Sequence, residues 1–149
     1  MCLFETKTFE DLSKIELYQL LALRNEVFIV EQECPYQDID FKDQKAWHLL
    51  GKINDEIVAY SRLFKPEDYM EKASIGRVIV KQPYRHKKIG IDLMKKAIEF
   101  LQNAGFLIID ISAQVYLLKF YEGLGFKSIS EHYLEDDIPH VLMRLEKIN

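Results

Sequence analysis

Arg85-His86-Lys87-Lys88 is a cluster of cations placed where a helix is expected to begin, directly after an apolar run, Ile75 to Val80, and a turn at Gln82-Pro83. A helix N-terminus already carries about half a positive elementary charge on its unpaired amides, so three formal cations there repel it and one another unless an anion binds. No Asp or Glu occurs from Lys72 through Ile91 to neutralise them, although the chain as a whole has a net charge of −4. The chemistry this pattern predicts is capture of a phosphate group. A solvated basic turn would look the same in composition alone, so the surroundings have to decide.

Two phosphate-binding patterns are excluded by the string itself. A P-loop needs Gly-x-x-x-x-Gly-Lys-Ser/Thr and a dinucleotide fingerprint needs Gly-x-Gly-x-x-Gly after the first strand; neither occurs. What remains is Arg85-x-x-Lys88-x-Gly90 between an apolar strand and a helix. Metal chemistry has little support, because Cys2 and Cys34 lie in no ligand spacing and the histidines at 48, 86, 132 and 140 are dispersed.

The elements that must position the cluster follow from periodicity. Leu3 to Phe9 predicts a first strand, and Ser13-Lys14-Ile15-Glu16 has the pattern of a capping box. A helix follows, with Leu17, Leu20, Leu21, Val27 and Phe28 on a buried stripe. Cys34 to Gln44 predicts a loop, and Ala46–Ile53 and Ile57–Phe64 predict strands joined by an Asn54-Asp55 hairpin turn. After the Ile75–Val80 strand, Leu93, Met94, Ala97, Ile98 and Leu101 keep helical period, with Gly105 at the expected end. Phe106–Ile111 predicts a strand buried on both faces, Leu117 to Leu124 a short helix, and 126–134 and 140–146 two terminal strands. The order is a mixed α/β (α+β) sheet of about six to seven strands with helices on its faces.

Composition bounds the rest. A chain of 149 residues, 48% hydrophobic and 30% charged, suits one domain over residues 1–149 with its own core. No apolar run approaches the roughly 20 residues that span a bilayer, and the first residues lack a secretory pattern, so the expected setting is cytoplasmic, with free thiols. Net acidity argues against an extended nucleic-acid surface.

Arg85-x-x-Lys88-x-Gly90, together with Gln114, Leu117, Phe120, Tyr121, Glu122, Gly125 and Phe126, resembles the two signatures of the GCN5-related N-acetyltransferase (GNAT) superfamily. The element order is that superfamily's. The string from Val27 to Asp40, with Gly76 to Val80 and Ile138-Pro139-His140, is similar to its ElaA-type branch. Departures are Lys88 at the first signature glycine, Gln114 in place of Asn, and Pro83 one residue late.

The resemblance implies a sheet splayed at an acetyl-CoA site and transfer of acetyl to an amine by direct attack. It assigns the cosubstrate to Val78, Ile79 and Val80, to Arg85, His86, Lys87, Lys88, Ile89 and Gly90, and to Gln114, Phe120 and Tyr121. A backbone amide near Val78 is expected to stabilise developing negative charge, worth about 3 kcal/mol. Tyr121 is the expected proton donor to the departing thiolate. An amine of pKa about 10.4 must first lose a proton, and His140, Glu31, Glu33, Asp38, Asp40 and His48 are the candidate acceptors, His140 foremost because imidazole exchanges protons near neutrality. The expected partner is a small-molecule or peptide amine, with no nucleic acid, membrane or metal, in a monomer or homodimer. The rival reading is a non-catalytic module that binds acyl-CoA and reports it to a protein partner; it has no need of Tyr121.

Overall fold

Ser13 and Glu16 start the first helix as their spacing predicts. The Ser13 hydroxyl accepts from the Glu16 amide at 3.0 Å, and the Glu16 carboxylate accepts from the Ser13 amide at 2.9 Å. In the computed structural model, which describes residues 1–147, this box opens α1 (Lys14–Arg24). The helix continues without a break into a wider π-helical segment, Asn25–Glu31, which delivers Glu31 to the sheet's open side.

The strands are β1 (Leu3–Thr8), β2 (Trp47–Ile53), β3 (Glu56–Phe64), β4 (Ala73–Val80), β5 (Ile108–Gln114), β6 (Lys127–Ser128), β7 (Tyr133–Glu135) and β8 (Ile138–Glu146). They form one sheet in the order β1-β2-β3-β4-β5-β8-β6, with β7 also paired to β8. Every pairing is antiparallel except β4 with β5. Two further helices, α2 (Ile89–Asn103) and α3 (Leu118–Gly123), flank β5 in sequence.

Alternation along the strands divides the core between two faces. Leu49, Ala59 and Leu63 pack with Leu93, Met94, Ala97 and Leu101 of α2. Their neighbours Leu50 and Tyr60, with Ile79, pack with Leu20, Leu23 and Val27 of the first helical run. Helices therefore cover both faces. The Asn54-Asp55 turn has φ of 50° and 65°, the left-handed pair that a two-residue hairpin requires, and Asp136-Asp137 repeats it at 50° and 62° between β7 and β8.

Several boundaries differ from expectation: β4 begins at Ala73 rather than Ile75, β5 runs on to Gln114 rather than ending at Ile111, and β8 begins at Ile138 rather than His140. β5 begins at Ile108, not Phe106, because the Phe106 amide bonds the Leu101 carbonyl at 3.0 Å and so belongs to the close of α2. The expected strand over 126–134 is interrupted and becomes β6 and β7, raising the strand number to eight. At the interruption the Ser130 hydroxyl takes the Leu142 amide at 3.0 Å, so a side chain replaces a ladder bond.

Candidate functional site

β4 and β5 pair only at Ala73 with Ile109 and Ser74 with Asp110. Beyond Ser74 the two strands diverge, and a cleft of about 730 Å³ opens between them. β4 also carries a bulge. Tyr60 pairs with Ile79 and Arg62 with Gly76, so Arg77 and Val78 face the single residue Ser61, and Arg77 has a left-handed φ of 48°. The Lys81 amide bonds the Val58 carbonyl at 2.8 Å on the β3 side. Alternation then turns the peptide groups of Val80 and Val78 toward the open edge; the Val80 carbonyl there is taken by Arg85, and the remaining groups are placed to pair with a ligand's own amides.

One end of the cleft is built for anions. His86 and Lys88 both adopt left-handed backbone, with φ of 69° and 61°, and Lys88 caps α2 without a side-chain bond. Left-handed residues at alternate positions ahead of a helix turn amides to one side, a concavity suited to phosphate. Lys88 keeps the backbone shape that glycine adopts freely, so the departure from the signature preserves the loop's course. A Cβ built on Gly90 would lie 3.7 Å from Val80 and 3.8 Å from Phe120, both cleft residues, so the missing side chain keeps the cleft open there.

The expectation that the basic turn lacks a counterion is corrected. Glu31 forks onto Arg85, Nη1 to Oε2 at 2.6 Å and Nη2 to Oε1 at 3.0 Å, while Arg85 Nε donates to the Val80 carbonyl at 2.8 Å. The partner is 54 residues away in sequence, which is why the local string did not show it. Lys87 lies over the Tyr84 ring at 5.6 Å, and the Ile89 side chain is buried in the core; neither side chain lines the cleft. Val78, Ile79, Val80, Arg85, His86, Lys88, Gly90, Gln114, Phe120, Tyr121, His140 and Glu31 all do.

A buried ion network backs the β4 side. Arg24 donates to Asp38 at 2.8 Å and Asp43 at 2.7 Å, Arg62 to Asp40 and Asp43 at 2.8 and 2.9 Å, and Arg77 to Asp38 at 2.7 Å. Burial alone would raise the Asp40 carboxyl, but the Arg62 hydrogen bonds and charge outweigh it and hold it down at about 2. Asp38 and Asp40 are thereby committed to arginines and are not free proton acceptors. His48 is also withdrawn: it is fully buried, donates from Nε2 to the Asp43 carbonyl at 2.9 Å, and accepts at Nδ1 from the Tyr60 hydroxyl at 2.6 Å. Burial, against that carbonyl bond, pushes its imidazole toward the neutral form. Glu33 is exposed and lies outside the cleft lining.

The far wall carries His140 and Tyr121. His140 is 6% exposed and donates from Nδ1 to the Ile138 carbonyl at 2.7 Å, which in the neutral ring leaves an unshared pair at Nε2, 3.4 Å from a Glu135 carboxylate oxygen. Tyr121 is 5% exposed, edge-on to Phe120 and Phe126, and burial beside Tyr116 pushes its phenol well above the usual range. It keeps its proton at any working pH. The sequence reading missed Arg24, Arg62, Arg77 and Asp43 of the network, and Ser112, Tyr133 and Glu135 beside His140. The signal for the first group was an arginine inside each of two apolar stretches, Leu20 to Phe28 and Ile57 to Phe64.

Among the described residues no group of three or more metal-type side chains comes together, and no helix is long and apolar enough to cross a membrane.

Comparison with known proteins agrees with this geometry. Residues 10–147 match the acetyltransferase (GNAT) domain family. Protein ElaA of Escherichia coli (strain K12) is 45% identical over 141 residues, covering 93% of this chain and 92% of ElaA. The crystal structure of Escherichia coli ElaA superposes with a TM-score of 0.91 at 42% identity, over 98% of this chain and 100% of that one. An acyl-CoA N-acyltransferase from Pseudomonas aeruginosa superposes with a TM-score of 0.92 at 38% identity, over 97% and 99%. The chain belongs to the GNAT acetyltransferases, in their ElaA-like branch.

Proposed function

We propose that the protein moves an acetyl group from acetyl-CoA to the amine of a small molecule or peptide by direct attack, with Tyr121 as proton donor and His140 as proton acceptor. The observation that carries this reading is the divergence of β4 from β5 after Ser74, which leaves the outward Val78 and Val80 amides without a strand partner along a cleft that ends at the His86–Lys88 turn. The residues present suit the cosubstrate: an open strand edge for an amide-bearing arm, left-handed loop amides and Lys88 for phosphate, and no side chain at Gly90 to fill the gap between Val80 and Phe120. When bound, acetyl-CoA supplies an activated thioester carbonyl.

The chain's own groups do the remainder. The Val78 amide faces the open edge and is placed to donate to a carbonyl oxygen as negative charge develops on it. Tyr121, held protonated by burial, donates toward the leaving sulfur; because its phenol is a weak acid here, the donation matures only as thiolate charge appears. His140 presents an unshared pair at Nε2 to the cleft and takes the amine's proton. Glu31, with both oxygens held by Arg85, serves to fix that arginine.

Tyr121→Phe tests the reading, since it removes one hydroxyl and keeps the ring between Phe120 and Phe126. Acetyl-CoA affinity by calorimetry should stay nearly constant while kcat in an amine panel followed by mass spectrometry falls by roughly 10²–10⁴-fold. Undiminished turnover would remove Tyr121 from the chemistry. Tight acetyl-CoA binding by the parent with no transfer to any amine would favour the acyl-CoA-binding module.

A further inference from the structure

The β7–β8 hairpin brings a second carboxylate to the reacting end of the cleft. Glu135 Oε2 lies 3.4 Å from His140 Nε2, and its other oxygen accepts from the Ser112 hydroxyl at 3.2 Å. Ser112 is in turn hydrogen-bonded to the Tyr133 hydroxyl, and the Tyr133 ring stacks on the imidazole at 6.2 Å and 23°. Ser112, Glu135 and His140 all line the cleft. The hairpin's own geometry makes this meeting: Tyr133 pairs with His140, and Glu135 with Ile138 across the tight Asp136-Asp137 turn.

We propose that Glu135 is the positioning residue for His140, a carboxylate that is held by Ser112 and makes the imidazole a stronger proton acceptor. The inference rests on the reading of His140 as the amine's proton acceptor. In the step, the ammonium proton passes to the Nε2 lone pair, and the resulting imidazolium, already donating from Nδ1 to the Ile138 carbonyl, is balanced by the Glu135 charge. The amine's freed pair then forms the N–C bond as the C–S bond breaks. The electron pair of that bond leaves on sulfur, which takes its proton from Tyr121. The second proton of the attacking nitrogen, acidic once the N–C bond has formed, restores the Tyr121 phenol, and the His140 imidazolium gives its proton to solvent, so that amide and thiol both leave neutral.

The surroundings leave Glu135 as the charge that matters. β8 packs against β5, β6, β7 and the turn Val115–Leu117. Their titratable side chains are Asp110, Lys127, Tyr133, Glu135 and Tyr116. Asp110 is taken by Arg144, and Lys127 pairs opposite Arg144, four residues along β8 from His140. Tyr133, whose phenol burial pushes up, is neutral at working pH. Asp136, at the turn, carries the other nearby charge and also lines the cleft.

The first arm of the test needs no acceptor, because protons are the only ligand; the second follows acetyl transfer by His140→Gln in the amine panel. The imidazole titration of the full chain is followed by NMR, with His140 assigned by His140→Gln. In Glu135→Gln the His140 midpoint should move to lower pH by about one unit, since an opposite charge within about 4–6 Å favours the charged ring. Glu135→Asp should recover part of the shift, and Asp136→Asn should move the midpoint less than Glu135→Gln does. An unchanged midpoint in a folded Glu135→Gln overturns the proposal. If the midpoint moves as expected while His140→Gln transfers acetyl as fast as the parent, the pairing is real but His140 is not the acceptor of the amine's proton, and the proposed catalytic role of Glu135 falls with it. If His140→Gln abolishes transfer and Glu135→Gln moves nothing, the base assignment stands and Glu135 has no part in it.

Discussion

Lys88 holds a left-handed φ of 61° at the start of α2, in the signature position where the superfamily has glycine. A non-glycine residue there carries about 1–2 kcal/mol of steric strain, and the ammonium is what it brings in return. Lys88→Gly should therefore keep or raise thermal stability, by up to about 1 kcal/mol, while acetyl-CoA binding weakens by about 1–2 kcal/mol for the lost charge-assisted contact. Differential scanning calorimetry and titration calorimetry read the two effects separately; unchanged affinity would place the phosphates away from this side chain. Glu31 poses the complementary case. Because it occupies both outer nitrogens of Arg85, Glu31→Gln should free the guanidinium and tighten acetyl-CoA binding several-fold, most visibly at low salt. A fall in turnover with unchanged affinity would instead make Glu31 a participant in proton transfer.

At the level of elements, the shape of the cleft depends on the β4 bulge, and the bulge depends on Asp38. Its side chain accepts from Arg77, the bulged residue, and from Arg24, which is fully buried. Asp38→Asn leaves Arg24 short of a charge partner, and breaking a buried pair from one side costs about 3–5 kcal/mol. Urea unfolding should show that loss; a change below about 1 kcal/mol would mean that Asp43 alone satisfies Arg24. These same contacts mark where sequence reading stops. The capping box, the Asn54-Asp55 turn, both long helices and the strands around residues 47–64 were legible, because each rests on neighbours within a few positions. The phosphate turn was legible by charge. Glu31 with Arg85, Asp38 with Arg77 and Glu135 with His140 were not, since these partners meet only after the sheet has assembled. Even the last pair, five residues apart, depends on the tight turn at Asp136-Asp137. The split of the strand over 126–134 was hidden for a related reason: Ser130 reads as an ordinary strand residue until Leu142 lies beside it.

For the molecule as a whole, buried and paired ionisable groups set the response to pH. Burial opposes ionisation of Glu16, but Lys52, the Ser13 amide and Lys7 outweigh it and hold its carboxyl at about 2, as Arg62 does for Asp40. Both values lie below the unfolded range of about 4, so this stabilisation is complete above that range and is lost as pH falls toward 2. His48 is held neutral in the fold, so the unfolded chain gains a proton first as pH drops through about 6.5. Stability against urea should be level above pH 7, decline gently from about 6.5, and fall more steeply below about 4.5. Glu16 and Asp40 should contribute about 1–2 kcal/mol each after allowance for partial exposure. A flat profile from pH 7 to 3 would contradict the paired assignments. Saturating acetyl-CoA should raise the unfolding temperature by mass action, and the gain should shrink in high salt.

Among the described residues, only two residue pairs join the β1–β4 half of the sheet to the β5–β8 half. The ladder is thus nearly two sheets with a short shared hem, and main-chain groups along Ile75–Val80 that face the opening have no strand to shelter them. Hydrogen exchange should find the outward amides of Val78 and Val80 fast in the free chain, although β4 lies at the centre of the sheet. A strand-like ligand laid in the gap would act as the missing rung, slowing those amides and also the flanking ones on β5. Cooperativity between the two halves would then be a property of the complex more than of the chain alone.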